Sequence, residues 1–269
     1  MSKRQQLLLP VLTFLAQALW PVYAAEVSGK ELAQQVLLQM RSDGFEMRML
    51  VNTGNGNGNG NGNGNGDRES QELKLSLIGQ FLPNGARLLA RGISPQQIHD
   101  QFVYAQMDES GNLATASYAL ANGAATPQLT ATRGASPVGL YGTNVFVDDF
   151  FLPWLLWPGQ EIIGSAEVAD TSCMLLRSTG APGGIAGGEV ISCIDASHGV
   201  VLRSQIASTR GHSGRTITVT AVVSGQTGRL FAKSAEITSG DSKTRVTVYS
   251  GDEEYPIRSS TFPDVTIGR

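Results

Sequence analysis

The chain has 269 residues, of which 41% are hydrophobic and 16% are charged, with 20 basic and 23 acidic residues. This length and apolar content are sufficient for one sizeable core, and all-β domains of this size often form a single unit. The negative net charge disfavours binding to nucleic acid or to anionic membrane surfaces. The composition therefore predicts one globular domain without a nucleic-acid partner.

Residues 1–24 have the pattern of a secretory signal peptide. Lys3 and Arg4 precede an apolar run that ends at Trp20, and small residues lead to a cleavage position near Ala24. A retained membrane anchor is the alternative interpretation. Cleavage leaves a mature chain of residues 25–269, with 18 basic and 23 acidic residues, outside the cytoplasm.

The first element of the mature chain is predicted to be a helix. Ser28 and Glu31 form a capping-box pattern, and apolar residues follow at helical spacing until Gly44. From Phe45 the period changes from about 3.6 to 2, which predicts a strand. The helix therefore has one apolar face to bury, and a sheet follows it.

Two early strands carry apolar residues at every second position, which puts these residues on one face. Arg48 alternates with them and is predicted to face solvent. Between the two strands, residues 52–67 contain six consecutive Asn-Gly dipeptides. Such polar, low-complexity sequence cannot offset its ordering entropy, so it is predicted to be a flexible hairpin loop.

Further segments with apolar residues at every second position follow along the chain, joined by short turns rich in Gly, Asn and Ser. They lie near residues 86–91, 101–107, 114–120, 200–207, 216–223, 230–237 and 245–250, with one further pair around the two cysteines. Roughly ten or eleven strands of this kind predict a mainly β (α+β) fold built on one large curved antiparallel sheet or barrel.

The chain has two cysteines, Cys173 and Cys193, each in a strand-like run. The glycine-rich segment between them is centred on Gly183, and a symmetric hairpin would place the cysteines directly opposite each other. The pattern predicts a disulfide, which an extracytoplasmic compartment permits. Two buried thiols are the alternative, and no metal site is predicted because further soft ligands are lacking.

The segment Thr143–Val168 concentrates aromatic residues inside this β-rich chain. The apolar run inside this segment is too short to span a bilayer, and Pro153 and Pro158 prevent one long helix. Asp148 or Asp149 is predicted to cap a short helix near Phe150, which Pro153 ends or restarts. With the N-terminal helix, this segment is predicted to cover one face of the sheet, as either a lid or an ordinary filled core.

The run V-D-D-F-F-L-P-W-L-L-W-P-G-Q-E-I-I-G, within Gly142–Gly164, follows a helix and several antiparallel strands. This arrangement resembles the outer-membrane lipoprotein-sorting proteins of the LolA/LolB-like superfamily. The resemblance implies a periplasmic protein with an unclosed β-barrel, whose apolar concave face is covered by helices. Such a cavity would hold the acyl chains of a lipid or lipoprotein, without a cofactor. The implied partners are an inner-membrane releasing complex and an outer-membrane acceptor.

The candidate ligand-binding residues are the apolar residues of the two early strands and of the aromatic segment. They are Phe45, Met47, Met49, Leu73, Leu75, Leu77, Phe150, Phe151, Trp154, Leu155 and Trp157. No arginine is predicted inside the cavity. Two alternatives remain open: an envelope-stress sensor or regulator, and a structural β-domain that binds a protein partner.

Patterns for catalysis are weak. None of the three histidines has the spacing of a metal site. Asp195 and His198 lie three residues apart in a predicted turn. His212 precedes Ser213, but Arg215 occupies a position at which a nucleophile elbow needs glycine. The sequence therefore predicts a binding protein rather than an enzyme.

Overall fold

The structure is a computed structural model that describes residues 27–55, 71–99, 101–119, 130–133, 139–181, 188–208 and 214–263. The predicted signal peptide, most of the Asn-Gly repeat, and His212 and Ser213 lie outside the described residues.

The described helices are short. Two are α-helical, Gly29–Met40 (α1) and Asp148–Phe151 (α2), and three are 3₁₀ turns, Gln96–Ile98, Leu140–Gly142 and Pro153–Leu156. Within the described part of the chain, no helix has both the length and the apolar character that crossing a membrane requires.

The strands are Ser42–Asn55 (β1), Gln71–Leu82 (β2), Gly85–Ser94 (β3), Gln101–Asp108 (β4), Leu113–Ala119 (β5), Thr130–Arg133 (β6), Gly159–Val168 (β7), Thr171–Thr179 (β8), Glu189–Asp195 (β9), Val200–Ile206 (β10), Arg215–Ser224 (β11), Leu230–Ser239 (β12) and Ser242–Asp252 (β13).

One sheet contains all thirteen of these strands, and neighbouring strands are antiparallel. Strands β1–β6 extend in sequence order to one side and β13–β7 to the other, with the β1–β13 pair at the middle. The end strands β6 and β7 do not pair with each other in the described sheet, so it is not closed into a barrel. The predicted unclosed antiparallel fold is confirmed.

The connection between β6 and β7 must cross the sheet, because these consecutive strands lie at opposite edges. Neither strand is among the segments in which alternating apolar residues predict a strand. β6 has four residues, and β7 lies in the aromatic-rich segment Thr143–Val168. The topology therefore explains why one irregular segment lies across a face of the sheet.

Helix α1 has the predicted capping box. The Ser28 hydroxyl accepts the Glu31 N–H at 3.2 Å, and the Glu31 carboxylate accepts the Ser28 N–H at 2.8 Å. The predicted stop at Gly44 is wrong, because α1 ends at Met40 and Gly44 is buried within β1. A Cβ at Gly44 would lie 2.2 Å from the Tyr255 carbonyl oxygen, so this glycine permits close packing rather than ending the helix.

The predicted loop 52–67 begins too early. Asn52 and Thr53 belong to β1, which continues to Asn55. Asn52 pairs with Glu72 on β2 and with Arg245 on β13. Because β1 is a central strand, ladder bonds on both sides extend it into the polar sequence.

The apolar residues of the sheet form two cores on its inner face, which is defined here as the face that carries Met49 and Leu75. The first core joins β1–β4 to residues 140–151 and to β12 and β13; its buried members are Met49, Val51, Leu73, Leu75, Leu77, Ala86, Leu88, Ala90, Ile98, Ala105, Met107, Leu140, Val145, Val147, Phe151, Ile237 and Val246. The second core joins α1 to Pro153–Leu156 and to β8 and β9; its buried members are Leu32, Ala33, Val36, Trp154, Leu155, Leu176, Val190 and Ile194.

A disulfide links Cys173 to Cys193, as predicted, with their Cα atoms 5.4 Å apart. The predicted register is wrong, because Cys193 pairs with Leu175 and the two cysteines are diagonal neighbours. β8 ends at Thr179 and β9 begins at Glu189, so the hairpin is centred one residue beyond Gly183. The disulfide packs with Leu202 on the outer face, opposite to Leu176.

Candidate ligand-binding site

Residues 139–157, here called the cover segment, lie on the inner face between the edge strands β6 and β7. Its first part, residues 139–151, contributes Phe151 and three aliphatic side chains to the first core. The Tyr141 hydroxyl lies 3.1 Å from the carbonyl oxygen of Ala90 and 2.9 Å from that of Gln101. This part is thus attached to β3 and β4 through its aromatic hydroxyl.

Phe151 is the central apolar side chain of the cover segment and is fully buried. Its ring contacts Phe81 edge-to-face, with centroids 6.0 Å apart, and Phe81 stacks on Phe45 at 5.5 Å. Such pairs add about 0.5–1.5 kcal/mol each to the burial of their surfaces. The three rings connect the cover segment to β1 and β2.

A buried ion pair holds the cover segment to β11. Arg215 Nη2 lies 2.6 Å from Asp149 Oδ1, and Nη1 donates to Oδ2 at 2.8 Å; the two side chains are 9% and 7% exposed. Asp149 Oδ2 also accepts the N–H of Phe146 at 2.8 Å, and the Arg215 guanidinium lies 4.2 Å from the centroid of the Phe146 ring. Oδ1 has this charge contact but no well-aligned hydrogen bond from the described residues.

The predicted helix cap is therefore wrong. Helix α2 begins after Val147, which makes no side-chain capping bond, and Asp148 and Asp149 lie in its first turn. Burial raises the pKa of Asp149 to about 6, although the charge and hydrogen bonds of Arg215 and the Phe146 N–H act to lower it. Asp149 is a partner for Arg215 on the inner face rather than a helix cap.

The cover segment changes direction at Leu152, whose φ is 50° and ψ is 52°. A branched residue in the left-handed region is uncommon and costs of order 1 kcal/mol or more. Pro153 then starts the 3₁₀ turn at its first position, as predicted. Leu152 therefore separates the segment into two parts that pack in different cores.

Polar contacts anchor the second part, residues 153–157. The Trp154 indole N–H donates to the buried Ser192 hydroxyl at 3.2 Å. The Gln160 amide donates to the carbonyl oxygens of Trp154 and Trp157 at 2.8 and 2.9 Å, and its own oxygen accepts from Ser178 at 2.9 Å. These directional bonds fix this part to β7–β9.

The structure divides the candidate residues between the two cores. Eight lie in or against the first core: Phe45, Met47, Met49, Leu73, Leu75, Leu77, Phe150 and Phe151. Three lie in or against the second core: Trp154, Leu155 and Trp157. Helix α1 covers the inner face, as predicted, but it packs in the second core and not over Phe45. The reason is topological, since α1 packs beside β7 and β8 rather than over its own following strand.

Sequence reasoning missed Arg215, Gln160 and Ser192 as residues that hold the cover segment. Arg215 starts a strand and Ser192 interrupts an apolar one, and neither position carries a local signal. Arg48, by contrast, faces away from the first core as predicted, with 54% of its side chain exposed.

The serine and histidine of the 195–198 turn do not form a catalytic triad. His198 Nδ1 lies 2.7 Å from Asp195 Oδ2 and 2.8 Å from the Ser197 hydroxyl, so both partners contact the same ring nitrogen. A triad needs the nucleophile on the other nitrogen. The described residues also include no group of three or more His, Cys, Asp or Glu placed to hold a metal ion.

No protein-family model and no curated protein matches the sequence. Solved structures do match the fold. A DUF1329 family protein from Desulfovibrio piger superposes with a TM-score of 0.73 at 10% identity, over 88% of this chain and 96% of that one. A putative outer-membrane lipoprotein-sorting protein domain from Vibrio parahaemolyticus gives 0.66 at 12% identity, over 86% and 94%.

A LolA superfamily protein from Nitrosomonas europaea gives a TM-score of 0.61 at 10% identity, over 86% of this chain and 96% of that one. The fold is LolA-like. The LolA-like sheet here is covered by a segment that enters the first core and is fixed in the second. At this level of identity the likeness concerns the fold, and the side chains of the site belong to this chain.

Proposed function

We propose that the protein is an extracytoplasmic carrier that holds an acyl chain of a lipid or lipoprotein between the inner face of the sheet and the first part of the cover segment. The ligand would contact the eight candidate residues of the first core. Trp154, Leu155 and Trp157, which pack in the second core, would instead support the fixed part of the segment. This activity is reversible binding and requires no cofactor.

The observation that carries the proposal is that the two parts of the cover segment are attached in different ways and in different cores. Residues 153–157 are fixed by the Trp154–Ser192 bond and by Gln160. Residues 139–151 are held by apolar packing, by the Tyr141 hydroxyl, by the Asp149–Arg215 ion pair and by the Asn144 amide, which lies 3.5 Å from the Ile237 carbonyl oxygen. A four-residue helix has little stability of its own, so its position depends on those contacts. Leu152 lies at the junction and would act as the hinge.

An acyl chain can replace the apolar contacts that Phe151 makes. Burial of apolar surface contributes about 25 cal/mol per Å², and an aromatic side chain buries about 150–250 Å². A ligand chain of similar area therefore offsets the withdrawal of Phe151 from the first core. Met47 and Met49 on β1 suit such an exchange, because methionine side chains adapt their shape to irregular spaces.

The likeness of the fold to a putative lipoprotein-sorting domain supports a carrier of this class. A periplasmic location fits the disulfide between Cys173 and Cys193, which forms in oxidising compartments. Within the proposal, the partners are an inner-membrane releasing complex and an outer-membrane acceptor.

The test is the recovery of the full-length protein from the periplasm of cells that export it, followed by mass spectrometry of co-purified lipid. The stripped protein is then titrated with a spin-labelled fatty acid that quenches tryptophan. We expect bound acyl lipid and saturable quenching of Trp154 and Trp157, which lie beside the first part of the cover segment. Absence of both lipid and saturable quenching would leave a structural β-domain or a protein-binding regulator.

A further inference from the structure

A groove of about 410 Å³ lies on the outer face of β1–β4, opposite to the first core. Its position follows from strand alternation, because Ile78 and Leu89 adjoin Leu77 and Leu88, which point into the first core. The groove is lined by the apolar residues Ile78, Leu89, Ile93 and Phe102 and by the polar residues Glu46, Arg48, Ser76, Arg91 and His99. Its volume is in the range of small-molecule sites.

The polar side of the groove carries two arginines and one glutamate among its described residues. Arg48 Nε lies 3.3 Å from Glu46 Oε1, and the same oxygen accepts from the Ser76 hydroxyl at 3.4 Å. Glu46 is thus engaged by its neighbours. The side chain of Arg48 is 54% exposed, so the far end of its guanidinium is accessible to a ligand.

Arg91 is the second cation, with its guanidinium carbon 5.6 Å from the centroid of the Phe102 ring. A guanidinium interacts favourably with an aromatic ring, and its planar fork matches the geometry of a carboxylate. Apolar surface and guanidinium groups therefore adjoin in one groove.

We propose that this groove binds a single-chain amphiphile with a carboxylate head, of the fatty-acid type. The carboxylate is bound by Arg48 and Arg91, since the guanidinium fork matches carboxylate geometry. The alkyl chain lies on Ile78, Leu89 and Phe102, where its apolar surface leaves water. Charge complementarity selects the acid over a cationic or neutral amphiphile of the same length.

This site is independent of the proposed carrier function, because the sheet itself separates the groove from the first core. Trp154 and Trp157 pack in the second core on the inner face, so a ligand in the outer groove leaves their fluorescence unchanged. A ligand under the cover segment would change it.

The experiment is calorimetric titration of the mature protein with decanoate, decanol and decyltrimethylammonium. We expect decanoate to bind most tightly, with an affinity that falls as salt concentration rises. Arg48→Gln and Arg91→Gln should each weaken decanoate binding about five- to tenfold. The matched control is Arg203→Gln on β10, in the other half of the sheet, which should leave the affinity unchanged.

Two results would overturn the proposal. One is decyltrimethylammonium binding as tightly as decanoate to the wild-type protein, a comparison that does not depend on any variant folding. The other is a decanoate affinity that both arginine variants retain while Phe151→Ala loses it together with the tryptophan response. That second pattern assigns the ligand to the inner site and leaves the carrier proposal intact.

Discussion

Arg215 and Asp149 meet in an ion pair with both side chains less than 10% exposed, and this pair joins β11 to the cover segment. The other ion pairs among the described residues each have at least one side chain that is more than one third exposed. Breaking a buried pair leaves an uncompensated charge in the protein, which costs far more than the loss of a surface pair. Arg215 is therefore the charged residue on which the closed position of the cover segment depends most.

Arg215→Ala should lower the free energy of unfolding by about 3–5 kcal/mol, because Asp149 stays buried without its partner. The matched control is Arg177→Ala, which removes exposed pairs with Glu161 and Glu189 and should cost less than about 1 kcal/mol. Urea denaturation of both variants provides the measurement. Equal effects of the two substitutions would show that the buried pair is not a principal attachment.

The pKa of Asp149 predicts a pH dependence with a defined sign. Its folded-state pKa of about 6 is above the ordinary value of 3.8, so the folded protein binds the proton more tightly than the unfolded chain does. The stability that this carboxyl contributes is fully present below about pH 4 and is lost as pH rises through about 6.

Relative to Asp149→Asn, wild-type protein should therefore lose about 2–3 kcal/mol between pH 4 and pH 7. Paired urea titrations of wild type and variant across this range test the difference, because titration of all other groups cancels. A difference that is constant with pH, or that moves in the opposite direction, would show that Arg215 outweighs burial.

Trp154→Phe removes the indole donor to Ser192 and retains an aromatic ring in the second core. The unfolding free energy should fall by about 1–3 kcal/mol, since the buried hydroxyl loses a partner. Trp157→Phe is the control, because only the backbone carbonyl of Trp157 is bonded to Gln160. Thermal unfolding should show a clear loss for the first variant and a smaller one for the second.

Removal of the disulfide should change stability without changing ligand binding. The cysteines are 20 residues apart, so the double substitution Cys173→Ala and Cys193→Ala should cost about 2–4 kcal/mol. They pack on the outer face, away from the first core, and the affinity for an acyl probe should stay within about twofold. Urea denaturation and probe titration of the same sample provide both values; a large loss of affinity would place the binding site near β8 and β9 instead.

Local features of the chain were predictable from the sequence. The Ser28–Glu31 capping box depends on residues three apart, and the inner face of β1 and β2 follows from alternation alone. The Cys173–Cys193 disulfide was also predictable, because a hairpin brings residues that are close in the sequence into contact. The register differs by two residues from the prediction because the hairpin is centred one residue beyond Gly183, the midpoint of the two cysteines.

Features that depend on topology were not predictable. Asp149 and Arg215 are 66 residues apart and meet because β6 and β7 end at opposite edges of one sheet. The same topology places Trp154 beside α1 in the second core, although Phe151, only three residues earlier, lies in the first. Periodicity indicates that these residues are buried, but not which partners they contact.

The central claim is that a ligand displaces the first part of the cover segment from the inner face. The second part stays in place. Phe151→Ala and Leu155→Ala make a matched pair, because both residues belong to the cover segment and are 0% and 3% exposed. Each should destabilise the protein by about 2–5 kcal/mol. The decisive measurement is the dissociation constant of a fluorescent fatty acid for the two variants, taken at a temperature where both are folded. We expect Phe151→Ala to change this constant at least fivefold and Leu155→Ala to leave it within twofold of wild type. Equal dissociation constants for both variants and the wild type would contradict this displacement and show that the first core does not open to a ligand.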